Sequence, residues 1–323
     1  MRSQLESLRV AMDRSPEPVE VLVVDDSEPH DAARHQANCA ELGARYVNGP
    51  RHVGAKRNLG VENANFDLIL FTDSDCRVPP DIFERHTKTL RSADSSIGGV
   101  AGPTFVEHSQ ALTYRFMRWS KLLNDDLERP RRRPTVTWAT TTNLAVRRTA
   151  FEEVGGFPSE SLTIVGGEDV DLGIKLFDAG YTIVCDSATV VTHDHASTDS
   201  LATACRRLFV YGRSEQWLCT VHPRYRQPIL NAFTLAAATA TAGLVLASRT
   251  RGRSMVAVPA SLGLVVGLRA RRLRGNNHSA RAIVETVACA SVDLLFDLGG
   301  FVAALELRRP DMLFTGLRPA DAD

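Results

Sequence analysis

Residues 66–76 read FDLILFTDSDC, an apolar run that ends in two aspartates. The run from Phe66 to Thr72 predicts a strand buried on both faces, with Asp73-Ser74-Asp75 at its carboxyl end. A second apolar run, Val19 to Val24, ends in the same way at Asp25-Asp26-Ser27. Ligands of parallel sheets bind at the carboxyl ends of strands. Both acidic turns are therefore candidate parts of one site.

Strand and helix patterns alternate on both sides of these two runs, which predicts an α/β domain with a mostly parallel sheet flanked by helices. Prolines around the basic run 129–134 predict a loop there. The helices are predicted at residues 3–14, 28–43, 54–63, from 81 onward, at 147–154 and at 168–179. The further strands are predicted at residues 45–47, 98–105, 135–146 and 181–191.

The composition excludes several functional classes. The 323 residues include 38 Lys and Arg and 38 Asp and Glu, so the chain carries no net charge. A nucleic-acid partner is not expected, because such domains are strongly basic. None of the six cysteines forms a CxxC pair, which argues against a structural zinc or redox motif. Residues 1–8 lack the apolar run of a signal peptide.

The sequence after Pro223 contains long apolar segments. The segment from Ile229 to Ala247 is apolar and uncharged, within the length range of a transmembrane helix. Two further apolar segments follow, at 255–268 and 282–307, and the last carries three acids. We expect a catalytic domain at residues 1–222 and an apolar helical tail at 223–323. The tail would form a membrane hairpin or an interfacial bundle at the cell membrane, with the catalytic domain in the cytoplasm; a soluble helical domain is the alternative.

The acidic turns suggest specific chemistry. Asp73 and Asp75 can share Mg²⁺ or Mn²⁺, which favour oxygen ligands and leave positions open for substrate phosphates. The alternative is a pair of ordinary loop acids. Asp25 and Asp26 can accept hydrogen bonds from a base or a ribose, whereas the alternative is a helix cap or a turn.

Two later motifs add candidates. Glu168-Asp169 opens a helix after two glycines, so Asp169 is a candidate general base toward an acceptor hydroxyl, and simple helix capping is the alternative. His193-Asp194-His195 follows a strand and offers either a third metal ligand or structural histidines. Basic side chains at 206, 207 and 213 could meet a diphosphate or a lipid, or could form a solvated helix face.

Four segments taken in order resemble glycosyltransferase family 2, whose members invert configuration and have the GT-A fold. They are VVDDSE (23–28), HVGAKRNLGVENANFDLILFTDSDC (52–76), TTTNLAVRRTAFEEVGGF (141–157) and GGEDVDLGIKLFDAGY (166–181). The resemblance covers roughly residues 1–215. Through GEDVDL and Tyr211-Gly212-Arg213-Ser214 the chain is also similar to the mycofactocin-system glycosyltransferase.

The resemblance implies a single displacement on a nucleotide-sugar donor, assisted by Mg²⁺ or Mn²⁺. The apolar tail, rather than the resemblance, suggests a lipid-linked or envelope acceptor. Asp169 would be the catalytic base. Donor binding would fall to Asp25, Asp26, Lys56, Asp73, Ser74, Asp75, Arg207 and Arg213. Acceptor binding would fall to Trp138 and Glu168. The metal ligands would be Asp75, His193 and His195.

One part of the family pattern is missing. Members normally begin with an apolar strand before the first helix, and we expect this chain to lack that strand. The start could lie too far downstream, which is the interpretation we favour, or another segment could fill the gap, or the protein could be degenerate. The alternative function is then a nucleotide-binding or membrane scaffold module. A phosphotransferase using Asp73 as nucleophile is disfavoured, because Arg77 stands where that class has a threonine.

Overall fold

The computed structural model describes residues 1–159, 166–194 and 200–318. The chain divides into two compact units. The first comprises residues 1–107 and 126–194, and the second comprises residues 108–125 and 195–323. The predicted boundary after residue 222 stays a prediction, although the compact units divide at other positions.

Helices and strands alternate through the first half of the chain, as the pattern predicts. In chain order the longer helices are α1 (Arg2–Arg14), α2 (Pro29–Leu42), α3 (Val53–Asn63), α4 (Ile82–Ser92), α5 (Leu112–Met117), α6 (Lys121–Arg132), α7 (Arg148–Glu153), α8 (Glu168–Asp178), α9 (Leu201–Val221), α10 (Ala232–Thr250), α11 (Ala257–Arg274) and α12 (Ala280–Glu306). The strands are β1 (Leu22–Asp25), β2 (Arg45–Asn48), β3 (Leu68–Phe71), β4 (Cys76–Arg77), β5 (Ile97–Ala101), β6 (Thr104–Val106), β7 (Thr135–Val136), β8 (Leu144–Arg147), β9 (Thr182–Cys185), β10 (Val191–His193), β11 (Arg226–Pro228) and β12 (Thr315–Leu317).

The described residues of the first unit form three sheets. β1 and β2 form a parallel pair. Five strands form the main sheet in the order β3-β8-β5-β9-β7, and β4, β10 and β6 form a third sheet. The main sheet is mixed, because β8 runs antiparallel to both β3 and β5, whereas β5 and β9 are parallel. The α/β class is confirmed, with a mixed rather than mostly parallel sheet.

Aromatic side chains form the centre of the first unit. The ring of Phe71, at the end of β3, lies 5.8 Å from that of Phe151 and 5.2 Å from that of Phe157. Leu172 and Leu176 present the buried face of α8 to the same cluster. This packing fixes the end of β3 against the start of α8, which carry the two strongest acidic motifs.

Two local predictions are corrected. The basic run at 129–134 was expected to be a loop, but α6 continues through Pro130 to Arg132. A proline there removes only one helical hydrogen bond, and ion pairs three residues apart, Arg129 with Asp126 and Arg131 with Glu128, stabilise the turn. The strand expected over 135–146 is two short strands, β7 and β8. Between them the side-chain amide of the buried Asn143 donates to the carbonyl oxygens of Pro103 and Thr189.

In the second unit, α9 lies against α12. A Cβ added at Gly212 would lie 1.9 Å from the carbonyl oxygen of Phe296, and one at Gly299 would lie 2.0 Å from that of Phe209. Glycine at both contacts therefore allows the two backbones to touch, as small residues do between membrane helices.

Among the described residues of the second unit, three helical segments are long and apolar enough to cross a membrane, judged by length and composition: Ala232–Thr250, Arg253–Arg274 and Ala280–Glu306. The acids of the last segment contact protein groups. Glu285 accepts a hydrogen bond from the Trp119 indole at 3.0 Å, and Asp293 accepts one from the Ser120 hydroxyl at 2.7 Å. Membrane association is consistent with these helices, and three segments qualify where a hairpin was expected.

Candidate active site

The first acidic turn is built at the end of β1. Asp25 accepts hydrogen bonds from the Ser27 hydroxyl at 2.7 Å, from His35 Nδ1 at 3.0 Å and from the Tyr46 hydroxyl at 3.1 Å. Burial opposes ionisation, but these hydrogen bonds outweigh it and lower the pKa of the Asp25 carboxyl. Asp25 is therefore held as a carboxylate in a fixed orientation.

The neighbouring acid has a different partner. Asp26 forms an ion pair with Lys56 of α3, and both side chains are partly exposed. Two residues predicted to bind donor thus meet each other directly. The pair brings α3 to the end of β1.

The second acidic turn is tied to α8 through one arginine. Arg57 Nη2 lies 3.3 Å from Asp73 Oδ1, and Arg57 Nη1 lies 2.5 Å from Glu168 Oε1. Burial works against the charge on Arg57, but three carboxylates outweigh burial and raise the pKa of its guanidinium. They belong to Asp73, Glu168 and Asp169. The structure therefore brings the Asp73 turn and the start of α8 to one cationic group.

The surroundings of Asp169 shift its pKa in the opposite direction from that of Asp25. Its Oδ1 accepts a hydrogen bond from the backbone N–H of Val170 at 2.9 Å. Burial, and then the charge of Glu168, raise the pKa of the Asp169 carboxyl, while Arg57 acts in the opposite direction. A carboxylate with a raised pKa is a stronger base than an ordinary aspartate. The second oxygen of Glu168, Oε2, is buried and has no hydrogen-bond partner among the described residues. It is therefore available as an acceptor.

Asp75 and His193 form the best candidate for a metal site. His193 Nε2 lies 3.4 Å from Asp75 Oδ1, and Cys76 Sγ completes a cluster within 4.8 Å. His193 Nδ1 lies 2.6 Å from the backbone carbonyl oxygen of Asp194 and donates to it. Donation from Nδ1 to a carbonyl is usual for a histidine that ligates a metal, and it leaves the Nε2 lone pair free on the side of Asp75.

Half-exposed Asp75 offers an oxygen of the kind that Mg²⁺ or Mn²⁺ binds, and the nitrogen of His193 suits Mn²⁺ better than Mg²⁺. Cys76 is a poor ligand here. Burial, and then the charges of Asp73 and Asp75, raise the pKa of its thiol, so it stays protonated.

Trp138, predicted to bind acceptor, packs on α8. A Cβ at Gly173 would lie 2.2 Å from Trp138 Cβ, so glycine is needed for this contact. The guanidinium carbon of Arg129 lies 5.0 Å from the centre of a Trp138 ring. Trp138 thus packs against the helix that carries Asp169.

The remaining predicted residues are placed as follows. Arg207 and Arg213 belong to the second unit, where Arg207 donates to the Tyr211 hydroxyl at 2.9 Å and Arg213 to Glu306 at 2.6 Å. Both stay predicted donor ligands. Ser74 is exposed in the turn between its two aspartates. His195 lies outside the described residues.

A cavity of about 910 Å³ opens beside the acidic turns. Both turns line its polar end, together with Lys56 and Arg57, and its deeper part is lined by β1, β3 and the helices around them. Asp25, Asp26, Asp73 and Asp75 therefore share one cavity, to which Arg57 connects the start of α8.

Sequence reasoning missed three residues of this arrangement. Arg57 follows the predicted Lys56 within the quoted family segment, and its charge next to that lysine was the available signal. His35 and Tyr46, which hold Asp25, come from α2 and β2 and have no local motif.

Parts of the chain are similar to one family model and to curated glycosyltransferases. Residues 3–155 match the model of glycosyl transferase family 2. Over 216 residues the chain is 27% identical to the pre-mycofactocin glycosyltransferase of Mycobacterium tuberculosis, covering 65% of this chain and 44% of that protein. It is 28% identical over 130 residues to glycosyltransferase AglE of Haloferax volcanii, covering 40% of each. The chain thus spans less than half the length of these curated relatives.

The fold is similar to that of a glycosyltransferase of known structure. The mannosyltransferase PcManGT from Pyrobaculum calidifontis, in complex with GDP-Man and Mn²⁺, superposes with a TM-score of 0.53 at 18% identity. The likeness covers 94% of this chain and 82% of that one. The predicted resemblance is confirmed: residues 3–155 are similar to glycosyl transferase family 2, and the fold is GT-A-like.

Proposed function

We propose that the protein transfers a sugar from a nucleotide-sugar donor to an acceptor hydroxyl, with inversion and with the help of a divalent metal. The observation that carries the proposal is Arg57, which pairs with both Asp73 and Glu168. It joins the turn that suits a donor diphosphate to the helix start that suits a general base.

The donor would bind along the polar end of the cavity. Asp25, ionised and held by three side chains, would accept from the nucleoside, and the Asp26–Lys56 pair would lie beside it. Asp75 and His193 would hold Mg²⁺ or Mn²⁺, which when bound would neutralise the charge of the leaving diphosphate. Arg57 would keep Asp73 oriented beside that charge. We also retain Ser74, Arg207 and Arg213 as proposed donor contacts.

The acceptor would bind at the start of α8. Asp169 would take the proton of the acceptor hydroxyl as the oxygen attacks the anomeric carbon. The new glycosidic bond would form on the face opposite the breaking bond to the diphosphate, which leaves as a nucleoside diphosphate. The free Oε2 of Glu168 would orient the acceptor by accepting a hydrogen bond, and Trp138 would offer an apolar face to it.

Retention of a reactive acid supports catalysis over simple nucleotide binding. A scaffold module needs Asp25 and the metal ligands, but it has no use for a carboxyl whose pKa is raised at the start of α8. The apolar helices of the second unit favour a lipid-linked or envelope acceptor at the cell membrane, with the catalytic unit on the cytoplasmic side.

The test is release of UDP or GDP from a panel of nucleotide sugars, with Mn²⁺ and a membrane extract as acceptor source. We expect release by the wild-type protein and its loss in Asp169→Asn, with nucleotide binding retained. Equal release by both proteins would remove Asp169 from the chemistry. Tight nucleotide binding without release by either would favour the scaffold function.

A further inference from the structure

The stretch from Gln216 to Val284 contains ten arginines and no acid, although the whole chain contains 38 aspartates and glutamates. It includes α10 and α11, which belong to the segments long and apolar enough to cross a membrane. Six of the ten arginines form two groups, one before α11 and one at its end. They are Arg249, Arg251 and Arg253, and Arg271, Arg272 and Arg274. The apolar helix α11 therefore lies between two cationic groups.

The arginines at the end of α11 have no counter-charge within the described chain. Most arginines outside the two groups form ion pairs, as Arg2 does with Glu41. Arg271 and Arg272 are exposed instead, and neither has a hydrogen-bond or ion-pair partner among the described residues. The Nε atom of Arg274 is buried and also lacks a partner there. The positive charge of this group is therefore open to an anion from outside the chain.

An open depression of about 450 Å³ lies at the same end of α11. It is lined by Leu268, Arg271, Arg272, Gly275 and Asn276. Guanidinium groups bind phosphate oxygens through paired N–H donors, and the Asn276 amide adds a further donor. Leu268 gives the depression an apolar wall. Groups that suit an anion thus stand beside one that suits a hydrocarbon chain.

The apolar wall continues along one face of α11. Leu268 is 52% exposed, and Leu264, one turn earlier, is 60% exposed. Gly263 and Gly267 lie beside them, and a Cβ added at either would meet no atom within 4 Å. Val256 extends this exposed face beyond the start of the helix. No described residue covers the face, and exposed apolar faces of this kind mark contacts with a protein or a membrane.

The chemistry of the two features together selects the ligand. From Val256 to Leu268 the exposed face is about 18 Å long at 1.5 Å per residue, and the hydrocarbon of one bilayer leaflet is about 15 Å thick. A soluble anion would use the arginines but would leave the leucines uncovered. A zwitterionic lipid would cover the leucines, but its headgroup already carries a cation beside the phosphate. An anionic phospholipid satisfies both features.

We propose that the end of α11 is a headgroup site for an anionic phospholipid. Its phosphate would bind between Arg271 and Arg272, and its acyl chains would lie along Leu264 and Leu268. Arginines in the last turn of a helix also interact favourably with the helix dipole. That role accounts for the positive charge but not for the depression or the exposed leucines. The site belongs to the second unit and goes beyond the proposed sugar transfer.

The test is lipid binding to the whole chain in a neutral detergent, measured by native mass spectrometry. The probes are phosphatidylglycerol, phosphatidylcholine and inorganic phosphate. We expect phosphatidylglycerol to bind more tightly than phosphatidylcholine. Arg271→Gln combined with Arg272→Gln should lower the affinity for phosphatidylglycerol by roughly 10- to 30-fold, with little change for phosphatidylcholine.

The matched control removes the same charge from the first unit through Arg14→Gln combined with Arg133→Gln. Neither side chain has a hydrogen-bond or ion-pair partner in the described part of the chain, and Arg14 also lies in the last turn of its helix. Both lipid affinities should stay at the wild-type value in this variant. Because no turnover is measured, the result does not depend on whether the protein transfers a sugar.

Four other outcomes would each overturn the proposal. Equal affinity of the wild-type protein for the two lipids would mean that the headgroup is not recognised. Undiminished binding of phosphatidylglycerol in the double variant of α11 would place the phosphate elsewhere. Displacement of the lipid by an equal concentration of inorganic phosphate would assign the site to a soluble anion. A lower melting temperature of that variant with unchanged lipid affinity would leave the two arginines only a role in capping the helix.

Discussion

Arg57 Nη1 lies 2.5 Å from Glu168 Oε1, an ion pair between residues 111 positions apart in the chain. Arg57 also contacts Asp73, and its guanidinium lies 5.5 Å from the centre of the Phe157 ring. One largely buried side chain, 17% exposed, thus fixes the relative position of the acidic turn and α8.

Arg57→Met should be strongly destabilising, because it leaves Asp73 and Glu168 without their buried cation. Removing one partner of a buried pair costs about 3–5 kcal/mol of unfolding free energy. Chemical denaturation measures the change. The control is Arg51→Met, whose pair with Glu28 is exposed and should change stability by at most about 1 kcal/mol. Equal effects of both substitutions would contradict the bridging role of Arg57.

The activity should rise with pH through a single ionisation that belongs to Asp169. Its pKa is raised above the ordinary value of about 3.9, so the protonated, inactive form persists to higher pH than for a free aspartate. The pH profile of kcat/KM at saturating metal measures this. Asp169→Asn should lower kcat by about 10² to 10⁴-fold and abolish the rise of activity with pH. Asp178→Asn, at the other end of α8, should retain that rise. If kcat/KM of Asp169→Asn still rises with pH in the same way, the ionisation belongs to another group.

His193→Ala should weaken binding of the metal at the site without unfolding the protein. We expect the Mn²⁺ concentration for half-maximal activity to rise by about 10 to 100-fold, with partial recovery at high Mn²⁺. The control is His30→Ala, since His30 is almost fully exposed at the start of α2. An unchanged Mn²⁺ dependence would show that His193 has only a structural role.

Asp25 should contribute to stability at neutral pH and lose that contribution in acid. Its pKa is lowered in the folded protein, so the contribution is complete above the unfolded value of about 3.9 and disappears as pH falls through the lower folded value. Asp25→Asn should therefore cost roughly 1–3 kcal/mol at pH 7, and the cost should shrink as pH falls below the ordinary value of about 3.9. Asp13→Asn, at an exposed position of α1, is the control. A cost that does not depend on pH would mean that the charge of Asp25 is not involved.

Gly173→Ala should disturb the packing of Trp138 on α8. The new methyl group would lie 2.2 Å from Trp138 Cβ and 2.5 Å from its Cα, and overpacking of this kind costs about 1–3 kcal/mol. In Gly60→Ala of α3 the nearest atom, on Val24, is 3.4 Å away, so that variant should be neutral or stabilised by up to about 1 kcal/mol. Thermal unfolding of the two variants distinguishes them, and equal melting temperatures would show that Trp138 moves freely.

Local patterns predicted most elements and both acidic turns, because apolar periodicity and strand ends are properties of short segments. They did not predict the partners of Asp25, since His35 and Tyr46 reach it only after α2 and β2 fold. Nor did they predict the antiparallel β8, whose apolar run looks the same in either direction. The basic run before Thr135 was misjudged because paired charges can keep a helix intact through Pro130.

Two features of the site, the raised pKa of Asp169 and the metal cluster, arise only when the chain is folded. The raised pKa of Asp169 depends on burial and on Glu168, which no spacing rule reveals. The metal cluster depends on the pairing of His193 with Cys76 across two short strands. Sequence named Asp75 and His193, but their proximity needed the structure.

A crystal structure with Mn²⁺ and the nucleoside diphosphate of whichever donor is turned over tests the central claim most directly. We predict an anomalous peak within roughly 2.6 Å of Asp75 and His193, the diphosphate on that ion, and the nucleoside at Asp25. Asp169 should face the side opposite the leaving diphosphate. Metal and nucleotide bound away from both acidic turns would contradict the account.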